Sequence, residues 1–87
     1  ILTHLGASVQ RLWLCFKYRD WEPQEGDVVL FPSMRGWRRK VVSNVYDDGE
    51  IRIYERTAMG SGSVPCKPGE VIFTGQRGVA KDAYLNP

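Results

Sequence analysis

Two hydrophobic periods divide this chain. Between Thr3 and Tyr18 the apolar residues Leu5, Val9, Leu12, Trp13 and Phe16 recur at helical spacing and share one face, with Gln10, Arg11 and Lys17 mostly elsewhere. Thr3 stands where an N-cap is wanted. The aromatic-rich run from Leu12 to Tyr18 also suits a buried strand, so helix and strand readings both stay open over it. In either form, such a stripe packs on the rest of the fold or on a partner.

From Asp27 onward the period shortens to that of strands. Tyr18 to Gly26 is a polar connector broken by Pro23 and Gly26. Asp27 to Phe31 reads as the first strand, ended by Pro32, and 32–36 as an exposed loop. Trp37 to Tyr46 reads as a long second strand with imperfect alternation: Trp37, Val41 and Val45 share a face with Arg39, while Val42 and Tyr46 share the other with Arg38 and Lys40. The adjacent Val41 and Val42 predict a bend or bulge. Asp48-Gly49 between two alternating runs is a hairpin signal, because glycine accepts the positive φ that such a turn needs. Ile51 to Glu55 alternates cleanly. Thr57 to Ser63 reads as a flexible tip, Val64 to Lys67 as a short strand, Pro68-Gly69 as a turn, and Val71 to Phe73 as a last strand closing onto the first.

This pattern predicts an all-β fold: an SH3-like five-stranded small barrel over 25–75, with an N-terminal helix and connector over 1–24 and an irregular C-terminal tail over 76–87. In the tail only Val79, Tyr84 and Leu85 have much to bury, which suggests a loosely held segment or one that docks on another chain. At 87 residues the chain is one small domain, and its ten aromatics (Trp 3, Tyr 4, Phe 3) are a large apolar resource for that size. It begins at Ile1 rather than Met and so reads as a processed product or a piece of something longer. No run approaches the ~20 apolar residues of a membrane span. Cys15 and Cys66 read as two free, half-buried thiols, although one disulfide between them is the alternative. An intracellular setting fits this usage better than secretion.

Certain residues carry a resemblance. Gly26-Asp27-Val28-Val29-Leu30-Phe31, then Trp37 followed by Lys40-Val41-Val42, then Asp48-Gly49 and Ile51-Arg52-Ile53, resemble the small barrels of the Tudor, KOW and retroviral-integrase C-terminal type. The closing piece from Val64-Pro65-Cys66-Lys67 to Val71-Ile72-Phe73 is similar to the end of the integrase barrel. The Tudor likeness implies an aromatic cage for a methylated cation, to which Phe31, Trp37, Tyr46 and Tyr54 are the candidates. Where Tudor barrels carry Phe-x-x-Tyr-Gly, however, this chain has Ile53-Tyr54-Glu55-Arg56, and the plainer reading of those aromatics is core.

Candidate chemistry is sparse. His4, the single histidine, lies near the start, so the barrel region has no basis for a nucleophile–histidine pair. Asp47, Asp48 and Glu50 cluster at a hairpin tip, where solvation and turn geometry account for them. No catalytic residue, metal ligand or cofactor is expected. Charge distribution says more than the net +2. Residues 31–45 hold Arg35, Arg38, Arg39 and Lys40 with no acid, whereas 46–57 hold Asp47, Asp48, Glu50 and Glu55 against Arg52 and Arg56. Two functions are therefore weighed. In the first, Arg35, Arg38, Arg39 and Lys40, extended by Arg52 and Lys67, meet phosphate oxygens while Trp37 or Tyr54 stacks on a base, giving a nucleic-acid or polyanion module within a larger complex. Its competitor is that these cations only solubilise a strand and pair with Asp47, Asp48 and Glu55 across the hairpin. In the second, Leu12, Trp13, Phe16 and Trp21 form a protein interface of an adaptor subunit, against simple packing on the barrel's open end.

Overall fold

The computed structural model describes the backbone of residues 3–34, 36–57 and 60–84, and their side chains except those of 3–8 and 57. The N-terminal stripe is helical: α1 runs Thr3–Lys17. Its last turn is closed by Tyr18 N–H donating to the Leu14 carbonyl (2.9 Å) and by Arg19 Nη1 donating to the Phe16 carbonyl (2.9 Å). Cationic side chains favour such a terminus, because the helix presents bare carbonyls there. The expected cap at Thr3 and the Leu5 side chain lie outside the described residues. No described helix is long and apolar enough to cross a membrane.

Five strands follow: β1 Val28–Ser33, β2 Gly36–Val45, β3 Ile51–Thr57, β4 Gly60–Cys66 and β5 Ile72–Phe73, with a 3-10 turn at Pro68–Glu70 before the last. They form one antiparallel sheet in the order β4-β3-β2-β1-β5. This sheet is not closed. The Asp48-Gly49 turn is as expected: Gly49 has φ 91°, its N–H donates to the Tyr46 carbonyl, and Asp48 Oδ1 accepts the Glu50 N–H at 3.0 Å. β5 pairs with β1, Val29 facing Phe73 and Leu30 facing Ile72.

Two strand limits differ from the sequence reading. β1 does not stop at Pro32 but continues to Ser33, with Pro32 opposite Trp37. Because β5 reaches only Val29 and Leu30, Pro32 has no second neighbour that would need its missing N–H. The supposed tip over 57–63 is mostly strand as well, since Gly60 to Ser63 pair with Thr57 to Tyr54. Gly and Ser have low strand preference, and here the long β3 partner overrides it. Residues 58 and 59 lie outside the described residues.

β2 pairs with β1 up to Val41 and with β3 from Val42 on. Its register shifts between Val42 and Asn44, so the irregularity lies at Ser43, one residue beyond the paired valines. Ser43 Oγ is 3.3 Å from the Arg52 carbonyl and 2.8 Å from Ser63 Oγ, a link from the bulge across β3 to β4. The bulge lets both valines be buried: Val41 and Val42 are each 1% exposed. Val29, Val42, Ile51, Ile53, Cys66 and Val71 form the core cluster, flanked by Trp21, Phe31 and Val64.

One buried carboxylate ties the outlying segments to this core. Asp27 is fully buried, and its Oδ2 accepts Trp21 Nε1–H at 2.8 Å and the Gln24 N–H at 2.9 Å. Oδ1 has no hydrogen bond but faces Arg77 Nε at 3.4 Å. The same corner joins three stretches of backbone, with Gly26 N–H donating to the Val42 carbonyl, Val28 N–H to Gln76 and Val79 N–H to Gly26. A Cβ on Gly26, at φ 90°, would meet Gly78 Cα at 3.3 Å, so glycine allows both the turn and the close approach. The segment after Phe73 is therefore not loosely held as far as Tyr84. Leu85 lies outside the described residues.

Candidate functional site

The β1–β2 hairpin carries the expected cations, and strand register decides which of them face outward. Lys40 lies opposite Val29 and two residues before Val42, both core positions, so its side chain turns inward. The Lys40 side chain is 5% exposed, with Nζ 2.7 Å from Glu55 Oε1 and 3.5 Å from the Tyr84 carbonyl. The expectation that Lys40 and Arg38 share an exposed face is thus corrected. Their common face is the one turned toward the core, with Arg38 half-buried opposite Phe31 near the hairpin end.

Arg39 points the other way, opposite Leu30, and is exposed. Among the described residues neither Arg38 nor Arg39 has an acidic partner. Trp37, 39% exposed, lies beside them with the Arg11 guanidinium 5.4 Å from its ring centroid. Arg35 lies outside the described residues, between the fully exposed Met34 and Gly36 at the loop.

On β3, Arg52 and Tyr54 project from the face opposite Ile53, and both are half-buried. Each already belongs to a cation–ring contact within the chain: Arg52 over Tyr46 at 5.6 Å, and Lys81 over Tyr54 at 5.0 Å. Arg52 Nε is buried without a hydrogen-bond partner. Phe31 packs on the core while Trp37, Tyr46 and Tyr54 meet Arg11, Arg52 and Lys81. The four aromatics weighed for a cage thus already have partners within the chain. Asp47, Asp48 and Glu50 are exposed at the β2–β3 turn, and Lys67 is exposed.

The second candidate surface is the outer side of α1. Val9, Leu12, Trp13 and Phe16 are 54%, 72%, 56% and 68% exposed. Lys17 Nζ lies 4.6 Å from the Trp13 ring centroid and the Arg19 guanidinium 4.6 Å from that of Phe16. Trp21 does not belong with them. It stacks on Phe73 at 5.1 Å with an 11° interplanar angle, while Tyr18 meets the same ring edge-on at 4.9 Å. Between the helix and the sheet runs a groove of about 480 Å³, to which α1 contributes Arg11, Cys15 and, at the border with its outer side, Leu12, and the sheet contributes Trp37 and Ile72.

Both cysteines are free. Cys15 is exposed rather than half-buried, and Cys66 is in the core, where burial pushes its thiol pKa up, with Glu70 and Glu50 adding to the effect. Sequence reasoning missed Asp27 and Arg77 as structural partners. The available signal was an acid directly before an apolar strand, a place where its carboxylate can hold a turn. No protein-family model, no curated protein and no solved structure matches the chain.

Proposed function

We propose that this chain is a non-enzymatic binding module whose β1–β2 hairpin contacts the backbone of a polyanion, in the first instance nucleic acid. The observation that carries this reading is the pair Arg38 and Arg39, adjacent on β2 and on opposite faces of the hairpin, without acidic partners among the described residues and next to a half-exposed Trp37. Guanidiniums hold phosphate oxygens bidentately, and an indole offers a stacking surface to an unpaired base. The SH3-like barrel belongs to the same proposal. Its support is the strand order β4-β3-β2-β1-β5 and a bulged β2 that changes partner midway, the features by which a short sheet curls on itself.

The test is fluorescence anisotropy with single- and double-stranded oligonucleotides at two salt concentrations. With two or three phosphates neutralised, affinity should fall roughly ten- to fortyfold for duplex and about seven- to twentyfold for single strands between 50 and 200 mM salt. Arg38→Glu with Arg39→Glu should remove most of it. Salt-independent binding, or no binding to either form, overturns the reading.

A second reading, an assembly subunit that docks through α1, is favoured by the four apolar side chains exposed along that helix. Under it, Trp13→Ser with Phe16→Ser abolishes partner capture and leaves oligonucleotide affinity unchanged.

A further inference from the structure

We infer that the outer face of α1 is covered by α1 of a second copy of this chain, the two helices running antiparallel across a two-fold axis. This names the partner for the assembly reading and rests on it.

An α-helix advances about 100° and 1.5 Å per residue. Val9, Leu12, Trp13 and Phe16 therefore form a narrow seam at i, i+3, i+4 and i+7, the spacing with which helices pair. Tyr18, whose ring meets Phe73, falls on the opposite side of the helix. Val9, Trp13 and Phe16 are thus turned away from the chain's own sheet, with Leu12 at the border of the groove, and a second helix seats on the seam once Lys17 and Arg19 swing off the Trp13 and Phe16 rings.

The seam is also self-complementary. A two-fold axis between Leu12 and Trp13 places Val9 against the second copy's Phe16 and Leu12 against its Trp13, a smaller side chain facing a larger one at every step. Charge selects the direction. The described part of α1 carries Arg11 and Lys17 and no acid. Parallel helices would set the two Lys17 side by side, whereas antiparallel ones hold them about 13 Å apart along the axis, beyond the screening length at physiological salt.

The area is sufficient for a weak pair. At roughly 100–250 Å² per whole side chain, the exposed fractions sum to about 500 Å² per copy, or about 1,000 Å² in all. That sits at the lower limit for a specific interface, the size class of weak and transient pairs.

Sedimentation equilibrium of the whole chain from 10 µM to 1 mM is the test. The weight-average mass should climb from 9.9 kDa toward twice that value. Trp13→Ser with Phe16→Ser should hold it at the monomer while far-UV circular dichroism keeps the sheet. For direction, Val9→Cys and Phe16→Cys chains, both carrying Cys15→Ser, should cross-link when mixed and not alone. A wild-type chain that stays monomeric at 1 mM, or a Val9→Cys chain that cross-links to itself, overturns the inference. The assembly reading is scored separately by acrylamide quenching of wild type against Trp13→Phe. A freely quenched Trp13 in a persistent monomer leaves the face open to another protein, whereas a shielded one overturns both.

Discussion

Asp27 does the work of several residues. Its carboxylate holds the Trp21 indole and the Gln24 amide and faces Arg77, all from full burial. Hydrogen bonds to a charged acceptor are worth about 1.5–3 kcal/mol each, and the donors left behind would be partly buried. Asp27→Ala should therefore lower stability by about 3 kcal/mol or more, measured by urea unfolding. A loss below 1 kcal/mol would mean that the connector and tail hold without it. Cys66 gives a pH signature at the same scale. Burial, then Glu70 and Glu50, raise its thiol pKa in the folded state, so the folded chain holds that proton more tightly than the unfolded chain. The resulting stability is complete below the ordinary thiol range and is lost as pH rises through the raised folded value. At pH 8, Ellman's reagent should label Cys15 promptly and Cys66 only at the rate of unfolding; equal rates would contradict the packing.

Among the elements, β2 shows most clearly what a pattern can and cannot reveal. Its length, its bend and the Asp48-Gly49 turn were legible, because turn residues and alternation are local signals. The fate of Lys40 was only half so: pairing with Glu55 was part of the competing reading, but the inward turn was not. Strict alternation correctly put Lys40 with Arg38 and Val42, but which face is the core depends on Val29 opposite and on Glu55 one strand away. The sequence likewise suggested a helix with an apolar stripe, while the direction of that stripe depends on α1 meeting β5 through Tyr18. Lys40 and Arg39, neighbours in the chain, should thus behave oppositely. Lys40→Ala strands the Glu55 carboxylate and should cost about 2–4 kcal/mol, near or below the usual range for a broken buried pair because Glu55 is 25% exposed. Its oligonucleotide affinity should stay within twofold. Arg39→Glu should leave the urea midpoint nearly unchanged and weaken binding. A double-mutant cycle with Glu55→Gln checks the first half, and anisotropy the second.

For the molecule as a whole, the open sheet depends on segments outside it. Trp21 and Tyr18 lie on Phe73, and the 76–79 backbone bonds to Gly26 and Val28. The sequence hid this docking because 76–84 carries few apolar residues, and it is held by main-chain bonds, Arg77 and Lys81 instead. Deleting 76–87 should lower Tm by well over 10 °C, since about 1 kcal/mol moves a domain of this size by 4–8 °C and several bonds are lost together. An unchanged Tm in differential scanning calorimetry would show the tail to be dispensable.

Because the connector and the tail both meet the Asp27 carboxylate, disturbance of one flank is felt by the other. Loss of that shared anchor would loosen the two together, while Tyr18 on Phe73 and the 76–79 main-chain bonds keep each of them in place on the strands.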